Sequence, residues 1–207
     1  MIDQLLKEIG EDKTQNMTTT SLKFKRDVWE FFQGFEEKIA VEFGTHKGQT
    51  TKILSHLFKK VYTVNNQDNA EAKRLNEDIQ NIEYISNFDL YLDKLPEWTT
   101  SKALPIAPGD TVDVFLIDAG HKYYHVISDI NRVTSMNCAK ECYIIFDDYG
   151  LQRHSPHVKR AVDQAINQNI LSRVKGIGHP KGHSFKEKDP TYTLIESEGL
   201  ITKVNWT

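Results

Sequence analysis

Short apolar runs alternate along the chain with segments whose apolar residues recur at a helical spacing. Apolar runs bounded by turn residues are typical of buried strands, and the second pattern is typical of amphipathic helices. The pattern predicts seven strands, at residues 38–43, 61–64, 82–85, 112–117, 142–146, 171–177 and 191–196. It predicts helices over residues 49–60, 69–80, 123–133 and 158–170, with a short helix at 90–95.

The order of these elements indicates one α/β domain with a mostly parallel sheet. Strands that alternate with helices form βαβ units, and their crossovers place helices on the faces of the sheet. We assign residues 38–207 to this domain and residues 1–37 to an N-terminal segment of one or two helices. Because ligands of such sheets bind beyond the carboxyl ends of the strands, the residues after each strand are the candidates for function.

Composition and charge narrow the class of protein. The 207 residues carry a formal net charge of −3, so we expect no broad basic surface for nucleic acid or an anionic membrane. No apolar run is long enough to span a bilayer, and the polar N-terminus does not resemble a secretory signal. Cys138 and Cys142 are too few for a disulfide framework. We therefore expect a cytoplasmic protein that binds neither nucleic acid nor a membrane.

The segment after the first strand has the composition of a ligand-binding loop. Two glycines in Glu42-Phe43-Gly44-Thr45-His46-Lys47-Gly48 allow the backbone to turn tightly and to approach a ligand closely. A P-loop has one more residue between its glycines and a lysine where Gln49 stands, and the dinucleotide fingerprint has a glycine where Glu42 stands. A carboxylate there would repel a diphosphate and favours a cationic ligand. The alternative is an ordinary turn between a strand and a helix.

Carboxylates follow the fourth and fifth strands. Asp118 comes directly after the fourth strand, and Asp147 and Asp148 come after the fifth. If these strands are neighbours, about 5 Å apart, the three carboxylates meet at one edge of the sheet. Mg²⁺ or Mn²⁺ would then offset their mutual repulsion, since hard cations prefer oxygen ligands. The alternative is that each acid only caps the helix that follows it.

The pattern Glu42-x-Gly44-x-x-x-Gly48 after a strand resembles the first motif of class I S-adenosylmethionine-dependent methyltransferases. The resemblance implies a Rossmann-like seven-stranded sheet and S-adenosylmethionine as the cofactor. Asn65 departs from the family, which usually has an acid there for the ribose hydroxyls, although an amide can accept one hydrogen bond and donate another. Similar proteins hold the adenine at the end of the third strand, which implies that Asn87 contacts the edge of the ring and Phe88 packs on its face. The alternatives are that Asn87 caps a helix and that Phe88 is a core side chain. The implied cofactor-binding residues are Glu42, Phe43, Gly44, Thr45, Gly48, Thr50, Asn65, Asn87, Phe88 and Asp118.

The stretches VDVFLIDAGHKYYHV and CYIIFDDYG resemble a subgroup of cation-dependent catechol-type and sugar O-methyltransferases, and the resemblance extends over residues 38–170. It implies that Asp118, Asp147 and Asp148 bind Mg²⁺. It also implies that His121 is the general base, because catechol-type enzymes have a basic residue three positions after the first metal-binding acid. Macrolide-sugar enzymes have an Asp where this chain has Gly120. The alternative for His121 is a bridge between metal site and cofactor, or stacking near the adenine.

The expected reaction is methyl transfer to a hydroxyl of a small molecule or glycan. With Asp118 and His121 as catalytic residues, the metal lowers the pKa of the hydroxyl and His121 takes its proton. An acceptor with a vicinal diol, preferably a sugar, would use the open metal positions. Two other classes stay open: an enzyme of this fold with hydroxylase-type or metal-independent chemistry, and a non-enzymatic cofactor-binding module. Two further expectations stay open: that the protein forms a homodimer, and that the chain is one domain of a larger protein.

Overall fold

The computed structural model describes residues 1–10, 12–13, 17–88, 104–151, 155–187 and 189–206. The predicted helix at 90–95 lies outside these residues. The strands are β1 (Ile39–Phe43), β2 (Lys60–Val64), β3 (Ile82–Ile85), β4 (Val112–Ile117), β5 (Cys138–Phe146), β6 (Leu171–Ile177) and β7 (Gly199–Val204). The helices are α1 (Ile2–Ile9), α2 (Leu22–Phe31), α3 (Gln49–Ser55), α4 (Ala70–Leu75), α5 (Tyr123–Thr134) and α6 (Ser155–Asn167), with a 3₁₀ turn at Pro190–Tyr192.

The strands form one sheet in the order β3-β2-β1-β4-β5-β7-β6. Strands β1 to β5 pair in parallel, and β7 runs antiparallel between β5 and β6. This mostly parallel seven-stranded sheet confirms the predicted α/β class. Because β1, β4 and β5 are neighbours at its centre, the loops that follow them meet at one edge.

Apolar side chains cover both faces of the sheet. One cluster, which includes Phe115 and Ile144, packs under α5 and α6. The other, which includes Phe24 and Ile145, packs under α1, α2 and α3. Ile144 and Ile145 belong to different clusters because successive side chains of a strand point to opposite faces. All six residues of β4 are buried, including Asp113, as expected of a strand covered on both sides.

The N-terminal helices share the second of these apolar clusters with the sheet. Leu5 and Ile9 of α1 and Val28 of α2 are buried in it. Helix α2 begins after Ser21, whose Oγ accepts a hydrogen bond from the backbone N–H of Phe24 at 2.9 Å. In the part of the chain that the structure describes, no helix is both long and apolar enough to cross a membrane.

The last strand differs from the prediction. It spans Gly199–Val204, whereas the predicted strand at 191–196 starts within the 3₁₀ turn. Leu194 forms an isolated bridge with Leu151, and Tyr192 packs in the same small satellite cluster. The alternation of apolar and polar residues at 191–196 therefore reflects packing against a loop and not a place in the sheet.

Other element boundaries also move. β5 begins at Cys138, before the predicted residue 142, because its first half carries exposed residues such as Lys140 that hide it from an apolar pattern. Helices α3 and α4 end at Ser55 and Leu75, and turns follow where the prediction continued each helix. After α3, Leu57 and Phe58 are buried in the core from a turn, so their apolar spacing extended the predicted helix past its end.

Gly44 allows the loop after β1 to approach β4 closely, and its substitution tests that contact. A Cβ on Gly44 would lie 1.9 Å from the carbonyl oxygen of Asp118, whereas a Cβ on Gly109 would meet nothing within 4 Å. Both glycines have left-handed backbones, with φ of 98° and 94°. We expect Gly109→Ala to lower the free energy of unfolding by about 1 kcal/mol through backbone strain. Gly44→Ala should cost about 1–3 kcal/mol more, because β4 must shift.

Urea unfolding followed by circular dichroism measures both losses. Equal losses for the two variants would contradict the close contact between Gly44 and Asp118.

Candidate functional site

The carboxyl ends of β1, β4 and β5 bring the acidic residues to one edge of the sheet. Phe43 pairs with Ile117, and Ile117 pairs with Phe146. Asp118 and Asp147 continue these pairings: the N–H of Asp118 donates to the carbonyl of Phe43 at 2.9 Å, and that of Asp147 donates to Ile117 at 3.2 Å. The structure thus brings Asp118, Asp147 and Asp148 together beside the loop that follows β1.

Two glycines shape that loop. Gly44 and Gly48 have φ of 98° and 77°, in the left-handed region that glycine adopts without steric cost. A Cβ on Gly48 would lie 2.7 Å from the Cβ of Ala72 in α4, so this turn is packed between neighbouring elements. Thr45 is buried between the glycines, with its Oγ1 at 2.7 Å from that of Thr63. The loop therefore holds a defined backbone conformation at the start of α3.

Glu42 is buried behind the same loop. Its side chain is 1% exposed, and its Oε2 accepts hydrogen bonds from Thr51 at 2.5 Å and Thr63 at 2.6 Å. Burial raises the pKa of Glu42 to about 8, although the two hydroxyls act in the opposite direction. Glu42 is therefore mostly protonated at pH 7 in the cofactor-free protein.

Strands β2 and β3 end at the same edge. The N–H of Asn65 donates to Ile85 at 3.0 Å, and the carbonyl of Asn65 accepts from the N–H of Phe88 at 3.0 Å. Asn87 is exposed and has a left-handed backbone, with φ of 54°. Phe88 is buried in the apolar cluster under α5 and α6. Its packing favours the core role that the sequence left open for Phe88.

A buried lysine from the N-terminal segment lies among the carboxylates. Lys13 Nζ is 2.7 Å from Asp148 Oδ1, 3.2 Å from Asp147 Oδ2 and 3.7 Å from Glu198 Oε1. The Lys13 side chain is 1% exposed. Burial alone would lower the pKa of Lys13, but the three carboxylates outweigh it and raise the pKa well above its usual value. The lysine is therefore a buried ammonium ion.

His121 lies on the other side of Asp148. Its Nε2 is 3.3 Å from Asp148 Oδ2 and 3.8 Å from Asp118 Oδ1. Burial lowers the pKa of His121, but the hydrogen bond with Asp118 and the charges of Asp148, Asp118 and Asp147 outweigh it. The pKa rises to about 9, so the imidazole is mostly protonated at pH 7.

The residues that precede α2 cover the start of α3. The hydroxyl of Thr19 donates to Gln49 Oε1 at 2.5 Å, and the hydroxyls of Thr20 and Thr50 are 3.2 Å apart. Thr50 is one of the predicted cofactor-binding residues, and in this structure it lies under the N-terminal segment. We refer to residues 12–13 and 17–21 as the N-terminal cover.

Sequence reasoning missed three charged residues of this site: Lys13, Lys25 and Glu198. Lys25 is buried, its Nζ donates to Thr19 Oγ1 at 3.2 Å, and burial lowers its pKa to about 8. A signal for Lys25 existed, because it lies on the apolar face of α2 next to Phe24 and Val28, both of which are fully buried. Lys13 and Glu198 lie in polar segments where no pattern marks them.

The Mg²⁺ or Mn²⁺ site predicted at Asp118, Asp147 and Asp148 does not fit this arrangement. The ammonium of Lys13 lies where a cation bound to Asp147 and Asp148 would have to lie. Among the described residues, no group of three or more His, Cys, Asp and Glu side chains is arranged to hold a metal ion. We therefore derive no catalytic step through a metal.

Comparisons with known proteins agree with the architecture. TomG, an O-methyltransferase of Streptomyces achromogenes involved in tomaymycin synthesis, is similar with a TM-score of 0.63 and 10% identity, over 99% of this chain and 89% of that one. A SAM-dependent methyltransferase from Aquifex aeolicus gives 0.59 and 12%, over 99% of both chains. The N-methyltransferase NodS from Bradyrhizobium japonicum WM9 gives 0.54 and 13%, over 98% and 96%. At these identities the similarity shows the fold.

The sequence comparisons identify the family. The comparison with curated proteins found no match. Residues 41–149, just over half of the chain, match the family described as "Methyltransferase domain". These residues run from β1 to the Asp147-Asp148 pair and include the loop with Gly44 and Gly48. The chain therefore belongs to the methyltransferase-domain family and has the class I methyltransferase fold.

Proposed function

We propose that this protein is an S-adenosylmethionine-dependent O-methyltransferase that acts on a hydroxyl group of a small molecule. The observation that carries the proposal is that the loop with Gly44 and Gly48 contacts Asp118, which lies beside His121, at the carboxyl edge of the sheet. Gly44 lies against the backbone of Asp118, and Asp118 lies beside His121. A cofactor held on the loop would therefore lie next to a group that can take a proton.

The residues at this edge suit the parts of S-adenosylmethionine. TomG is in complex with SAM and NodS with S-adenosyl-L-homocysteine. In this chain, Glu42 supplies an acid for a cationic group, and the amides of Asn65 and Asn87 can bond the ribose and the adenine. Phe88 supports the end of β3 from the core. When bound, S-adenosylmethionine supplies the methyl group and leaves as S-adenosylhomocysteine.

His121 is the proposed general base. The acceptor hydroxyl loses its proton as the new C–O bond forms, and the imidazole of His121 accepts that proton. The carboxylates of Asp118 and Asp148 stabilise the imidazolium that results. These carboxylates also hold the pKa of His121 at about 9 in the cofactor-free protein. A sulfonium ion nearby would lower this pKa, because a like charge disfavours the protonated imidazole.

Of the alternatives that the sequence left open, metal-independent chemistry is favoured by the position of Lys13. Our proposal therefore includes no divalent cation and does not require that the acceptor chelate a metal through a vicinal diol. The preference for a sugar acceptor rests on the resemblance of the Asp147-Asp148-Tyr149-Gly150 region to sugar O-methyltransferases. A panel of sugars, catechols and simple alcohols distinguishes these acceptors.

Cofactor binding should release a proton from Glu42. This carboxyl is mostly protonated at pH 7 because burial raises its pKa to about 8, and a cationic ligand stabilises its ionised form. Titration calorimetry with S-adenosylmethionine in phosphate and in Tris should therefore give heats that differ with the ionisation enthalpy of the buffer. Glu42→Gln should reduce this difference, and the part that it removes belongs to Glu42.

NAD is the control ligand for this experiment and should not bind. Failure of S-adenosylmethionine to bind would overturn the proposed function. Equal heats in the two buffers would instead exclude the ionisation of Glu42.

Replacing His121 should remove catalysis without removing cofactor affinity. Because general-base catalysis contributes about 10²–10⁴-fold, we expect His121→Asn to lower kcat by a factor in that range. The rate of the unmodified protein should rise with pH as His121 loses its proton, and the variant should lack this rise. His157 is exposed on α6, so His157→Asn is the matched control and should leave the rate unchanged. Near-normal turnover by His121→Asn would reject His121 as the base.

A further inference from the structure

We propose that Lys13 takes the place of a divalent cation at the carboxylates after β5 and positions His121 through Asp148. This inference rests on the proposed function for its catalytic part, whereas its binding part is independent of any activity. Lys13 Nζ lies 2.7 Å from Asp148 Oδ1 and 3.2 Å from Asp147 Oδ2, and all three side chains are buried. The lysine thus gives the carboxylates the positive partner that a bound metal ion would give them.

The charges of this cluster require such a partner. Asp147, Asp148 and Glu198 are buried, and buried carboxylates carry a desolvation cost that only a close opposite charge or hydrogen bonds can offset. Burial raises the pKa of Asp147 well above its usual value, and Lys13 is the largest influence in the opposite direction. A metal ion added beside Lys13 would meet like-charge repulsion from the ammonium. Lys13 and a cation are therefore mutually exclusive occupants of this position.

Asp148 connects Lys13 to the proposed base, because it contacts both side chains. Its Oδ1 accepts from Lys13, and its Oδ2 faces His121 Nε2 at 3.3 Å, so the two partners use different oxygens of one carboxylate. The backbone of Asp148 is left-handed, with φ of 55°, which is uncommon for a residue other than glycine and persists only where contacts hold it. Lys13 is one of those contacts. Lys13 is therefore a positioning residue for His121.

The N-terminal cover holds Lys13 in this position. Asp12 Oδ1 accepts hydrogen bonds from the backbone N–H groups of Lys13 and Leu22, both at 2.9 Å. Farther along, Ser21 donates to Glu198 from its N–H at 3.0 Å and from its hydroxyl at 2.6 Å. Hydrogen bonds on both sides of Lys13 therefore fix the backbone that carries the ammonium group.

An ammonium and a metal ion have different consequences for the acceptor. An ammonium has three N–H donors and no open coordination position, whereas Mg²⁺ keeps sites that substrate oxygens can fill. An enzyme that uses Lys13 in this position therefore does not select a chelating diol. We expect acceptors with a single hydroxyl to be methylated as well as those with two adjacent hydroxyls.

Binding of Mn²⁺, followed by electron paramagnetic resonance of the free ion, tests the replacement directly. The samples are the unmodified protein, Lys13→Ala and, as a matched control, Lys23→Ala, which removes an exposed lysine of α2 paired with Asp27. We expect Lys13→Ala to bind Mn²⁺ at least tenfold more tightly than the other two. Lys13→Met is a second variant that keeps the length of the side chain, and circular dichroism checks that each variant folds.

Two outcomes would overturn the replacement. One is stoichiometric binding of Mn²⁺ by the unmodified protein. The other is no gain in binding by a folded Lys13 variant. The measurement on the unmodified protein needs no variant, so the proposal can be tested even if the substitutions prevent folding.

Activity tests the positioning role separately. Methyl transfer by the unmodified protein should be insensitive to EDTA. Lys13→Ala should lower kcat about 10–100-fold, which is the range typical of residues that orient a functional side chain. The Kd for S-adenosylmethionine should stay unchanged. Lys13→Arg should restore part of the rate, since it returns the charge. Loss of activity on treatment with EDTA, or an unchanged kcat in Lys13→Ala, would reject the role.

The two proposals fail in different ways. If S-adenosylmethionine does not bind and no acceptor is methylated, the proposed function fails while the Mn²⁺ result still decides what Lys13 replaces. If methyl transfer is observed but the unmodified protein binds Mn²⁺ tightly, the function stands and the role of Lys13 fails.

Discussion

Buried acidic groups at the carboxyl edge of the sheet impose the constraint on which the arrangement of this site depends. Asp147 and Asp148 follow β5, Glu198 precedes β7, and all three are removed from solvent. Charges in such a place destabilise a fold unless an opposite charge lies close to them. Lys13 meets this requirement from a segment far away in sequence. The N-terminal cover is therefore part of the site and not an appendage to it.

Glu198 links this charge cluster to the packing of the N-terminal helices. Its Oε2 accepts from the hydroxyl of Ser21 at 2.6 Å, and that hydroxyl accepts from the N–H of Phe24 to cap α2. Oε2 also accepts from the N–H of His179 at 3.1 Å. One carboxylate thus joins the start of α2, the loop after β6 and the ion pair of Lys13. Because buried donors that lose their acceptor are costly, these parts of the chain stabilise one another.

The sequence predicted the elements that obey local periodicity and the residues that follow strands. β4 was clear because five of its six residues are apolar, as is typical of a central strand, and the rule for parallel sheets then predicted that Asp118 and Asp147 would meet. Local patterns could not predict Lys13, because its partners lie 134 and 135 residues away and a lysine in a polar segment has no motif. The local pattern also failed at residues 191–196, because alternating apolar and polar residues occur both in strands and in loops that pack against a neighbouring segment.

The same cover contacts the proposed cofactor and acceptor sides of the site, with contacts of different strength. Over the start of α3, the contacts are hydrogen bonds between neutral groups, from Thr19 to Gln49 and between Thr20 and Thr50, each worth on the order of 1 kcal/mol. Over the carboxylates, the contact is a buried ion pair, and breaking one by removing a partner costs about 3–5 kcal/mol. The ion pair of Lys13 is therefore the strongest of the contacts between the cover and the strand ends.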